Sequence, residues 1–123
     1  MAISGYAQLV EQLVDEDANR RESAKKTLLA LDEMAVDGLI DGFYAGVTDT
    51  QGVAILEVIA EIGGPDAMST LRNTFHFEEM RIPLKNAAAR GLLHNAQSLS
   101  PNEFQAVKKY LPNHIGYTSP SFP

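Results

Sequence analysis

Sliding the chain along itself by 32 residues lays Asp37, Leu39, Asp41, Phe43 and Tyr44 onto Ser69, Leu71, Asn73, Phe75 and His76. Apolar positions fall on apolar ones and polar on polar ones. The preceding helical stretch does the same at an offset of 31, which brings Leu28 and Leu31 onto Ile59 and Ile62. A unit of this size, made of two helices, cannot bury its own apolar faces and has to stack on its neighbour. The repeat predicts an all-α fold: a short right-handed α-solenoid of about three helical hairpins plus an N-terminal capping helix.

Local signals agree with that reading, because helical periodicity dominates and no alternating strand pattern appears. Ser4 is placed to cap a first helix with Tyr6, Leu9, Val10, Leu13 and Val14 on its apolar side. Asp17 or Asn19 opens a second, with Ala24, Leu28 and Leu31 on one stripe. A third is expected from about Ala35 to Ala45, with Leu39, Ile40 and Phe43 inward. Thr48-Asp49-Thr50-Gln51 reads as a turn and cap before the most apolar helix, which carries Ile55, Leu56, Val58, Ile59 and Ile62. Gly63-Gly64-Pro65 ends it and starts the next, since glycine supplies a left-handed terminus and proline suits a first helical turn. Met68, Leu71 and Phe75 mark that helix, and Leu84, Ala88 and Leu92 the following one. Ser100-Pro101-Asn102-Glu103 has the form of a capping box, leading to Phe104, Val107 and Leu111. One domain is expected over residues 1–115, followed by an extended, proline-containing tail over 116–123 that folds back to cover the last helix.

The chain's 123 residues suit a single core. With no cysteine, disulfides, zinc–thiolate sites and cysteine nucleophiles are excluded. No apolar run approaches the ~18 residues that span a bilayer, and no secretory leader pattern opens the chain, so a cytoplasmic protein without membrane contact is expected. The net charge is −6, distributed as −9 over residues 1–66 and +3 over 67–123. An acidic first half disfavours binding to a nucleic-acid backbone, and no nucleic-acid partner is expected. The asymmetry fits solvated helix faces, a partner that meets one end, or self-association of unlike ends as a homodimer.

Three stretches carry a resemblance. Ile59-Ala60-Glu61-Ile62-Gly63-Gly64-Pro65-Asp66-Ala67 is similar to the helix–turn–helix junction of HEAT-like repeats, more narrowly the short variety of phycobilisome lyase subunits. Leu84-Lys85-Asn86-Ala87-Ala88-Ala89-Arg90-Gly91-Leu92 resembles the start of that repeat, and Arg20 to Leu28 resembles a degraded copy. The likeness covers residues 17–111. The chain departs from the pattern at Gly52, where a basic residue is usual, and at Asp32-Glu33-Met34, which replaces a Gly-Asp-Pro turn.

In such solenoids the resemblance implies that the second helix of each pair lines a concave, partner-binding side. The outward positions there are Asp37, Asp41 and Tyr44, then Ser69, Asn73 and His76, then Gln105, Lys108 and Lys109. Their charge passes from acidic through neutral to basic, which would suppress a reversed binding pose. Gly38, Gly42 and Gly46 recur every four residues. Interior helical glycine costs ~1 kcal/mol relative to alanine, so Gly38 and Gly42 are expected to be close-approach positions. Either a neighbouring helix packs on them, or they floor a shallow trough beside Tyr44 that receives a partner.

Catalytic signals are weak. His76, His94 and His114 have no paired metal-ligand spacing, and no metal site is expected. The serines sit at caps or in the tail, and Asp15-Glu16-Asp17 and Glu78-Glu79 lie at helix ends where dipole and solvent account for them. Arg20, Arg21, Lys25 and Lys26 read as a solubilising patch. The expected function is a non-catalytic adaptor that binds another protein through the concave helix face, with no catalytic residue and no cofactor. The alternative, implied by the narrower resemblance, is a bilin-lyase-like subunit or phycobiliprotein chaperone. A bilin would then lie near Tyr44 and His76, with Lys108 on its propionates, and mixing would shift the visible spectrum.

Overall fold

Among the described residues seven α-helices follow one another with short joints: α1 Ala2–Leu13, α2 Ala18–Leu31, α3 Glu33–Ala45, α4 Asp49–Ile62, α5 Pro65–His76, α6 Ile82–His94 and α7 Pro101–His114. A short 3-10 turn, Ala96–Ser98, lies between the last two, and no strand occurs among the described residues. The computed structural model describes the backbone of residues 2–114 and the side chains of residues 8–111. The expected tail over 116–123 lies outside the described residues.

The joints follow from their residues. Asp17 caps α2, its carboxylate accepting from the Asn19 amide. Thr48 and Gln51 form a capping box at α4: the Gln51 amide donates to the Thr48 hydroxyl, and the Thr48 amide donates to Gln51 Oε1. Ser100 and Glu103 repeat that exchange at the start of α7. Gly63 and Gly64, at φ 76° and 94°, reverse the chain within two residues, and Pro65 begins α5.

Two starts differ from expectation. The first helix begins at Ala2, so Ser4 lies inside it and does not cap it. The third begins at Glu33, because one residue, Asp32, makes the whole turn from α2 at φ 55° and ψ −133°. Asp32 stands 31 positions before Gly63, and the two share a backbone region that glycine enters freely.

Helices of like parity are neighbours. On one side α4 packs against α2 and α6; on the other α3 packs against α1 and α5, and α7 closes on α6. The first helix also touches α2 and α4. A single apolar core lies between these rows, and its burial follows the repeat. Leu39 and Leu71 are fully buried, Ala35 and Ala67 likewise, and Phe43 and Phe75 nearly so. In the other row Leu28, Ile59 and Leu92 are buried together.

Small residues bring α4 and α6 unusually close. A Cβ on Gly52 would stand 2.5 Å from Leu84 Cδ2, and one on Gly91 would stand 3.0 Å from Ala60 Cβ and 2.9 Å from Leu71 Cδ2. The departure at Gly52 therefore has a packing cause, since no side chain fits there without displacing Leu84. Polar ties reinforce the joints. Asn95 Nδ2 donates to the carbonyls of Ala60 and Gly91, and Arg81 donates to the Val47 carbonyl while pairing with Asp49 at 2.9 Å.

Candidate functional site

All nine outward positions expected on the second helices are exposed: Asp37, Asp41 and Tyr44 on α3, Ser69, Asn73 and His76 on α5, and Gln105, Lys108 and Lys109 on α7. Their orientation follows from the 3.6-residue period, because Leu39, Phe43, Leu71, Phe75 and Val107 take the buried side of the same helices.

Neighbouring helices on this face are joined by side chains. Tyr44 meets Phe43 edge-on at 5.5 Å, and His76 meets Phe75 edge-on at 5.0 Å, so one aromatic pair recurs a repeat apart. Phe75 in turn contacts Tyr110 of α7 at 5.2 Å, and Tyr110 donates its hydroxyl to Asn86 Oδ1. Burial pushes the Tyr110 phenol above its ordinary range. Arg72 of α5 grips Glu103 of α7, Nε to Oε2 at 2.8 Å, and also donates to the Ser98 carbonyl. That guanidinium, with the Ser100 amide, holds the Glu103 carboxyl below the usual carboxylate value. Lys108 lies over the Phe104 ring at 5.3 Å. The α3 acids and the α7 lysines are separate features, with α5 standing between them.

The glycines divide differently from expectation. A Cβ on Gly42 would meet nothing within 4 Å, so the packing explanation fails there. Gly38 and Gly42 instead line a groove of about 380 Å³ between α1, α3 and α4, with Val10, Val47 and Ile55 as apolar wall and Glu11 and Asp41 at the rim. Gly52 and Gly91 are close-approach glycines instead of Gly42. A second groove, about 480 Å³, lies where the α4–α5 turn passes the start of α3, among Met34, Asp37, Gly64 and Asp66. Both neighbours of α3 thus leave it a channel, which sequence periodicity does not show.

Charge on the opposite row is mostly spent on ties. Lys25 of α2 pairs with Glu61 of α4 at 2.7 Å, and Arg90 of α6 with Glu57 of α4 at 3.8 Å. The Glu61 hydrogen bond raises the Lys25 pKa above its ordinary value. Arg21 donates to the carbonyls of Asp15 and Glu16, so part of the basic patch anchors the α1–α2 joint. Exposed apolar groups that the sequence reading passed over are Met34, Phe77 and Ile82. The last two sit in or beside the α5–α6 joint, where helical period gives no guide to exposure.

Among the described residues no three His, Asp or Glu side chains converge on a possible metal position, and no helix is long and apolar enough to cross a membrane. Compared with known proteins, the chain matches no family model, no curated protein and no solved structure.

Proposed function

We propose that the chain is a non-catalytic interaction module, a short right-handed α-solenoid of the HEAT-like kind, which docks a partner protein on the face formed by α3, α5 and α7. The observation that carries this reading is the repetition of exposure along that face. Asp37 and Ser69, Asp41 and Asn73, and Tyr44 and His76 stand 32 residues apart, and every one is exposed beside a buried Leu39–Leu71 or Phe43–Phe75 pair. A surface built by repetition offers a partner several equivalent footholds in a row, and the change from acid on α3 to lysine on α7 gives it a direction.

The test uses the full chain as bait in extracts of its own cells, with chemical cross-linking to locate contacts. The expected result is a partner that cross-links to α3, α5 or α7 and is lost from a variant combining Asp41→Lys, Asn73→Ala and Lys108→Glu, with an unchanged melting curve. A partner retained equally by the variant, or no partner at all, overturns the reading.

A further inference from the structure

The five carboxylates Glu11, Glu33, Asp37, Asp41 and Asp66 line the two grooves that flank α3, and among the described residues no lysine or arginine lines either. All five are exposed, and among the described residues none pairs with a base, whereas Glu57, Glu61 and Glu103, which lie between helices, do. Glu33 and Asp66 have a local reason, since each stands in the first turn of a helix. Glu11, Asp37 and Asp41 have none. They border the groove or lie on the α3 stripe beside it, where Gly42 leaves open space and Val10, Val47 and Ile55 supply apolar wall.

An apolar channel with an all-acidic rim is complementary to one chemistry. We propose that the groove between α1, α3 and α4 receives a basic amphipathic segment of a partner protein. Its apolar side chains lie over Gly38 and Gly42, and its lysines or arginines meet Glu11, Asp37 and Asp41. This rests on the interaction reading above and names the partner's chemistry. The acids steer the segment in and fix its register; the groove supplies the buried contact. Gly42 keeps the floor low, because any side chain there would occupy the space that the partner fills.

The probe is a fluorescent synthetic peptide of lysine and leucine in amphipathic order, titrated into the full chain and compared with a glutamate–leucine counterpart of equal length. The lysine peptide is expected to bind, to weaken with added salt, and to shift the backbone amides of Gly38, Gly42 and Val47. The glutamate peptide is expected not to bind. Gly42→Leu should lose about tenfold in affinity, the equivalent of one well-placed apolar contact. The double variant Asp37→Asn with Asp41→Asn should lose affinity and most of the salt dependence. Equal binding of both peptides, or parent affinity in the folded Gly42→Leu variant, overturns the proposal. So does a concentration-dependent dimer that Gly42→Leu dissolves, because the groove would then be occupied by a second copy. A captured partner that Lys108→Glu releases and Gly42→Leu retains removes this proposal and leaves the interaction reading standing.

Discussion

Replacing Asp32 with glycine should make the protein more stable, although it deletes a side chain. Asp32 is the single residue between α2 and α3, at φ 55° and ψ −133°, and is the one non-glycine residue with positive φ among the described residues. Its amide donates to the carbonyls of Leu28 and Leu29, much as the Gly63 amide donates to the Ile59 carbonyl, so the backbone fixes the conformation whatever the side chain. Holding an L-residue there costs about 1–3 kcal/mol. Glycine removes that cost but adds about 0.5–1 kcal/mol through a freer unfolded chain. The carboxylate makes no capping hydrogen bond, and it stands at the negative end of α2 and the positive end of α3, so its dipole terms oppose each other. The net gain should be about 1 kcal/mol, or roughly 4 °C in Tm for a domain of this size. Urea unfolding of Asp32→Gly beside Asp32→Asn separates strain from charge, since asparagine removes only the charge. If the glycine variant is no more stable than the asparagine variant, the turn carries no strain and the comparison with Gly63 fails.

Three other substitutions probe the packing and the charges. Gly42→Ala should stabilise by up to ~1 kcal/mol from helix propensity, whereas Gly91→Ala should destabilise by about 1–2 kcal/mol as Ala60 and Leu71 are forced apart; matching signs in urea melts would contradict the assignment of open and closed glycines. The Thr74 hydroxyl is buried without a hydrogen-bond partner, so Thr74→Val should raise stability by about 1 kcal/mol, and a loss would show that the hydroxyl is satisfied in solution. Glu103→Gln keeps the capping box and removes the charge that Arg72 holds, so it should cost about 0.5–1 kcal/mol at neutral pH. Because the folded Glu103 carboxyl titrates below its ordinary value of 4.5, its contribution is complete above that pH and fades as pH falls through the lowered value. Parent and variant should therefore converge in acid, and a pH-independent gap would refute the ion-pair account.

Helix existence was legible because the apolar positions of α1, α5 and α7 are strongly periodic, and the best joints were those with dedicated chemistry: Thr48, Gly63-Gly64-Pro65 and Ser100. The outward set on α3, α5 and α7 was legible for the same reason, as exposure follows once the buried stripe is known. Glycine was the weak point. Gly42 stood out by spacing, yet it faces open space, while Gly52 and Gly91 are glycines that helices close upon. Nothing in a sequence says what lies opposite a glycine. That depends on Leu84 and Ala60, residues more than 30 positions away in one direction or the other. The turn at Asp32 was hidden for a related reason, because aspartate does not announce a positive φ.

The 32-residue correspondence weakens on α7. Residues 39 and 71 are buried leucines, and the residue at the third equivalent position, 103, is glutamate. On α7, the last described helix, that side chain keeps 29% of its exposure, and leucine there would leave apolar surface in water. Glutamate instead caps α7 with Ser100 and reaches back to Arg72 on α5, tying the final helix to its row through charge where the earlier ones use apolar contact. Val107 is the smaller counterpart of Phe43 and Phe75 and is buried like them, and Tyr110 supplies the ring that packs on Phe75. The 32-residue correspondence thus ends where core positions have become polar or smaller, whereas α3 keeps its acids on an open surface beside a groove.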